Sequence, residues 1–253
     1  MFRTARAPTL GLAFGVCLFA ATPAPAQRRY ELSFRFEPGQ QIQHRYYVVG
    51  KTTDTAGTVN IQAQFRVVRE AAGTDPARGM FLLKERVEDF RGTEFDARGF
   101  GLPAADETIE RQVDGQGRVA NVVRYTKGHR YYLPLLVLPA NPIKVGEVWK
   151  FTGNLVFSPQ GQTVQAPCGM AYVLESVGPY KGRTCAKIRL RGTYSAASES
   201  GAATVSGTLE GVIYFDLGRA MLLDLKVTEG QTQRIPSENW AKTVELEITA
   251  LLE

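Results

Sequence analysis

Apolar and polar residues take turns along most of this chain, and that rhythm limits its fold more than any other feature. Val59, Ile61, Ala63, Phe65 and Val67 alternate with Asn60, Gln62, Gln64 and Arg66. Near the end, Val244, Leu246, Ile248, Ala250 and Leu252 make a second such set. A period of two puts one set on each face of a pleated strand, whereas an amphipathic helix would need a period near 3.6. Further strands are expected over Tyr30 to Phe36, Ile42 to Val49, Trp149 to Phe157, Val205 to Phe215 and Met221 to Val227. Turn chemistry separates them: Pro38-Gly39, Asp114-Gly115-Gln116-Gly117, Ser158-Pro159-Gln160-Gly161, Gly178-Pro179-Tyr180-Lys181-Gly182 and Asp216-Leu217-Gly218-Arg219.

Two stretches depart from the rhythm. Residues 1–26 carry Arg3 and Arg6, then an apolar run from Leu10 to Ala21, then Ala24-Pro25-Ala26. That order reads as a signal peptide cleaved after Ala26, too short to span a bilayer, so the product is expected to be periplasmic or secreted. Phe14-Gly15-Val16 before Cys17 is no lipoprotein cleavage box, so no lipid anchor is expected. The second stretch, Tyr125 to Ala140, is interrupted by Pro134 and Pro139 and is read as a helical turn and an extended piece.

That bridge joins two halves that look like copies, 27–135 and 136–253, expected to form one compact unit. Gly39-Gln40, Arg91-Gly92-Thr93, Thr108-Ile109-Glu110 and Gly117-Arg118-Val119 recur in order as Gly146-Glu147, Arg191-Gly192-Thr193, Thr208-Leu209-Glu210 and Gly218-Arg219-Ala220. The last three matches are offset by 100, 100 and 101 residues, and the shared order with a near-constant offset reads as an internal duplication. The expected fold is all-β, with antiparallel sheets from two duplicated halves. It would be a two-sheet sandwich or an open, barrel-like sheet.

Charge and motifs exclude more than they assign. Loss of Arg3 and Arg6 takes the formal charge from +5 to +3 without any basic block, so neither nucleic acid nor an anionic surface is called for. No later segment is apolar enough to cross a membrane as a helix. The two histidines sit in a repeated tetrad, His44-Arg45-Tyr46-Tyr47 and His129-Arg130-Tyr131-Tyr132. The tetrads are out of register with the duplication and lack the clustered ligands of a metal site. They are read as coincidental, with His44 half-buried and bonded to a backbone carbonyl. No cofactor or metal is expected.

Catalytic signatures are missing. There is no Gly-x-Ser-x-Gly elbow and no glycine-rich phosphate loop. Glu85, Glu88 and Asp89 interleave with Lys84 and Arg86 and read as a solvated face. Cys168 and Cys185 could form a disulfide in an exported protein. A hairpin centred on Tyr180 nevertheless puts Cys168 on the apolar side near Gly192 and Cys185 on the polar side near Glu175, too far apart to bridge unless a bulge intervenes. Trp240, after Ser237-Glu238-Asn239, is a candidate contact surface.

Leu138-Pro139-Ala140-Asn141-Pro142-Ile143-Lys144-Val145-Gly146-Glu147-Val148-Trp149 resembles a segment of an exported bacterial all-β protein family of unknown function. Tyr172-Val173-Leu174-Glu175, Tyr180-Lys181-Gly182-Arg183 and Phe215-Asp216-Leu217-Gly218-Arg219 share the resemblance. The outline is also similar to periplasmic lipoprotein carriers, which implies an apolar concave face and no catalytic residues. Three roles follow as expectations. The first is a non-catalytic envelope protein binding or carrying an apolar small molecule or lipid. The second is a structural module that binds another envelope protein. The third is a hydrolase with dispersed carboxylates.

Overall fold

The computed structural model describes residues 28–93, 108–122 and 136–253. The leader and the second tetrad, His129 to Tyr132, lie outside the described residues, as does most of the bridge. The described residues are almost wholly strand. Strands β2 (Gln41–Asp54), β3 (Gly57–Asp75), β4 (Met80–Gly92), β5 (Thr108–Asp114) and β6 (Val119–Val122) form one antiparallel meander. Strands β8 (Val148–Phe157), β9 (Val164–Tyr180), β10 (Arg183–Ala197), β11 (Thr204–Asp216), β12 (Met221–Ile235) and β13 (Trp240–Leu252) form another. Pairing of β2 with β13 fuses the two into a single 11-stranded sheet, in the order β6-β5-β4-β3-β2-β13-β12-β11-β10-β9-β8. The sheet is not closed into a barrel and is not a two-sheet sandwich.

Its register explains the core. Leu174, Ile188, Ile213, Leu225, Ala250, Tyr46 and Phe65 are successive cross-strand partners from β9 to β3, and all are buried. The next inward row runs Tyr172, Leu190, Gly211, Val227, Ile248, Val48 and Ala63. Each buried aliphatic side chain contributes roughly 1.5–3 kcal/mol, so these rows are the main apolar drive for the fold. The opposite face carries ion pairs such as Lys226–Glu247 at 2.9 Å, Lys187–Glu175 at 2.9 Å and Arg66–Glu88 at 2.9 Å. A membrane-spanning barrel would carry an apolar band there.

Tyr30 to Phe36 departs from expectation. Only β1 (Arg29–Tyr30) pairs, with β7 (Ile143–Lys144), and the rest is an extended strap outside the main sheet. The alternation is real, but the apolar set packs across strands instead of continuing a ladder. Leu32 is fully buried, Phe34 meets Phe215 edge-on at 5.4 Å, and Phe36 meets Phe81 at 5.1 Å. The Phe34 amide donates to Gly115 O in the β5–β6 turn, and the Arg35 amide to Ala220 O in the β11–β12 turn. The strap therefore ties the two wings of the sheet. Gly117 has a positive φ of 82°, and a Cβ there would lie 2.7 Å from the Phe34 ring, so glycine is needed on both counts.

The turns follow the sequence closely. Asp114 Oδ1 accepts from the Gln116 and Arg118 amides, and Asp216 Oδ1 from those of Gly218 and Arg219. Lys181 and Gly182 both have positive φ, which makes the two-residue turn that matches strand twist between β9 and β10.

Candidate functional site

At the strap end of the inner face, four adjacent strands aim polar side chains inward. Glu85 on β4 is 2% exposed. Arg69 Nε on β3 donates to its Oε1 at 2.6 Å, and Arg111 Nη2 on β5 donates to its Oε2. Arg69 also donates to Tyr46 Oη at 3.1 Å and to His44 Nδ1 at 3.0 Å. Because Arg can only donate, His44 is the tautomer whose Nε2–H donates to Leu222 O at 3.0 Å. Burial first, then the Arg69 charge, holds the His44 pKa down at about 3, against a small opposing effect of the Leu222 carbonyl.

This network corrects one reading of the sequence and agrees with another. Glu85 is not on a solvated face. Lys84 and Arg86 flank it in sequence, but strand pleating sends them outward and Glu85 inward. Glu88 does face outward, between Arg66 and Arg86. His44 bonds a backbone carbonyl as expected, though it is fully buried instead of half-buried. The signal that could have exposed the network was its phase: Glu85 falls in step with the apolar Leu83 and Val87.

A second inward polar group lies on the other wing, where Tyr194 Oη donates to Glu229 Oε1 at 2.6 Å. A Cβ on Gly207 would sit 2.4 Å from the Tyr194 ring, so glycine makes room for that ring.

The cysteines lie at opposite ends of the β9–β10 hairpin. Cys168 is partnered with Tyr194, and Cys185 with Gly178. Nine positions of β10 separate those registers, roughly 30 Å at strand rise, against the ~4.4–6.8 Å a bridge needs. Both are buried, and they are not bridged to each other. Cys185 alternates with Ala186 and Ile188 onto the side of Lys187 and Arg189, as the hairpin predicts, yet it is buried there, with its Sγ 4.0 Å from Tyr180 O. Its thiol pKa is raised, first by burial and then by Asp216. Trp240 opens β13 and is partly buried against the core, not freely presented. Among the described residues, no three His, Cys, Asp or Glu side chains gather as a metal site.

A recess with aromatic lining lies between edge strand β8 and the β5–β6 turn. Edge strand β8 and the β5–β6 turn approach each other at the strap end, with the 137–143 segment between them. Leu138 N donates to Gln116 O at 2.8 Å, and Trp149 Nε1 to Val137 O at 2.7 Å. The recess is a groove of about 370 Å³, at the small end of the range for ligand sites. Pro139, Ile143, Trp149 and Phe151 supply apolar lining, and Arg29, Arg118 and Glu147 are the charged groups at its rim. Arg29 Nη1 donates to Pro142 O at 2.7 Å and its Nη2 lies 3.7 Å from Glu147. Arg118 Nε lies 2.6 Å from Asp114 Oδ2.

No protein-family model matches the sequence, and no curated protein matches it. Among solved structures, the chain is similar to a DUF1329 family protein from Desulfovibrio piger at 10% identity, covering 81% of this chain and 83% of that one. The TM-score is 0.16, too low to carry an argument.

Proposed function

We propose that this chain is an exported, non-catalytic envelope protein that binds or carries an apolar ligand, a lipid or a small molecule. The observation that carries this reading is the groove beside edge strand β8, a recess of about 370 Å³ in which Pro139, Ile143, Trp149 and Phe151 present apolar surface. Two of the buried carboxylates are held by neighbours, Glu85 by two arginines and Glu229 by Tyr194, which fits a binding role better than acid–base work. Native mass spectrometry of protein taken from the periplasm tests it. A bound mass that denaturation strips away is the expected result; bare protein throughout would sink the proposal. N-terminal sequencing of the same sample should begin at Gln27, and a retained leader would refute export with cleavage.

One observation favours a second reading, a module that binds another envelope protein. On and beside edge strand β8, Val148 is 55% and Val145 42% exposed, and an edge with exposed valines can accept a partner strand. Cross-linking to a neighbouring protein with no co-purifying ligand would select that reading.

We also read the halves as an internal duplication. β2–β6 and β8–β12 are both five-strand meanders, the matching triplets fall in β5 and β11, and both following turns are capped by an aspartate. Failure of the two meanders to superpose strand for strand in an experimental structure would remove it.

A further inference from the structure

We propose that edge strand β8 is a dimer interface, pairing antiparallel with β8 of a second copy of this chain about a two-fold axis at Thr152. The pairing neither needs nor excludes a bound ligand, so it stands or falls apart from the apolar-ligand reading. Backbone phase carries it. Leu174 N donates to Glu147 O and Gly146 N donates to Leu174 O, so Leu174 directs both its backbone groups at β8. Direction alternates along a strand, which makes Trp149, Phe151, Gly153 and Leu155 the bonded partners of Tyr172, Met170, Cys168 and Ala166. Val148, Lys150, Thr152, Asn154 and Val156 therefore turn their N–H and C=O groups away from β9, and among the described residues none of these groups is bonded. The opposite edge, β6, is only 4 residues long. β8 is 10 residues, with no proline, no register shift against β9 and a single charge, Lys150, so it lacks the usual protections of a free edge.

The occupant follows from what such a strand can pair with. Residues that turn both groups toward a partner strand must face each other, so a second β8 can dock only with those five positions opposite their own kind. An axis at Thr152 uses all of them: Val148 meets the partner's Val156, Lys150 meets the partner's Asn154, and Thr152 meets the partner's Thr152. An axis at Lys150 would set lysine against lysine, and one at Asn154 would leave Val148 and Lys150 beyond the end of the partner strand. Axes at Phe151 or Gly153 would strand one valine, Val156 or Val148. Only the Thr152 register covers Val148, which is 55% exposed, with another valine and keeps like charges apart.

Sedimentation velocity on the full processed chain tests the pairing. The chain should run as a dimer at micromolar concentration. Thr152→Pro should make it a monomer with an unchanged circular dichroism spectrum, because the lost N–H faces away from β9. Asn154→Lys, which sets a second lysine against Lys150, should weaken the dimer by about fivefold or more, and Asn154→Glu should tighten it. Thr152→Cys should link to itself on mild oxidation, since facing bonded residues lie about 5.5 Å apart. Asn154→Cys, roughly 13 Å from its counterpart at strand rise, should not. A monomer at every concentration would overturn the proposal, as would a dimer indifferent to both Thr152→Pro and Asn154→Lys. Asn154→Cys linking as readily as Thr152→Cys would overturn the register. Thr152→Cys linking in the periplasm to a different protein, in place of itself, would overturn the second copy as occupant. If Thr152→Pro fails to fold, the two cysteine variants decide the question.

Discussion

At the strap end, the wing made by β2 to β5 turns His44, Arg69, Glu85 and Arg111 inward, while the wing made by β9 to β12 turns Leu174, Ile188, Ile213 and Leu225 inward. Both sets sit on one concave face of one sheet, yet their energetics are opposite. The apolar row gains stability with each side chain removed from water. The polar set must first overcome the cost of desolvating three charged groups, and regains it only while every bond holds. The apolar wing should therefore tolerate small trimming, and the polar wing should not.

The largest expected effect tests that contrast directly. Glu85→Gln keeps the shape but leaves Arg69 and Arg111 without their shared anion, at a cost of about 3–5 kcal/mol. Ile188→Val, in the apolar row, should cost about 0.5–1.5 kcal/mol. Urea unfolding at neutral pH measures both. A Glu85→Gln loss no larger than that of Ile188→Val would mean the network is wetter than its burial implies, and the contrast would fail.

The same contrast marks where sequence reading succeeds. On the apolar wing, period and face coincide, so the strands, the β9–β10 hairpin and the inward side of Met170, Tyr172 and Leu174 were all legible. On the polar wing, an inward Glu85 between two basic neighbours looks like a surface run, because alternation assigns faces only when the inward residue is apolar. The strap shows another limit. Tyr30, Leu32, Phe34 and Phe36 have a strand's spacing, but their partners are rings on distant strands, Phe215 and Phe81. The groove had no local signature at all, since Arg29, Arg118 and Trp149 lie far apart in sequence and come together only through the 137–143 segment.

A middle-sized effect concerns pH. In the folded chain His44 remains neutral down to about 3, whereas unfolded it titrates near 6.5. Above pH 6.5 neither state binds the proton and the full stability is present. Below it the unfolded state takes up the proton and the folded state does not, so stability falls until about pH 3 at roughly 1.4 kcal/mol per pH unit. Between pH 6.5 and 4.5 this one group should remove about 2 kcal/mol. His44→Gln, which cannot titrate, should flatten that part of the acid limb in urea unfolding curves. Parallel curves for the two proteins over that range would show that His44 is not protected from protonation.

The smallest effect belongs to the outward face, where the contrast between the wings should vanish. Lys226 and Glu247 meet at 2.9 Å, with their side chains 60% and 38% exposed. Water and salt screen such a pair, so Lys226→Ala should cost only about 0.2–1 kcal/mol and less still in about 0.5 M salt. The same should hold for Lys84, paired with Glu110 at 3.8 Å on the other wing. If either substitution approached the cost of Glu85→Gln, burial would not be what separates the wings. Convex-face charge would then be holding the sheet's curvature, and the inner network would lose its special standing.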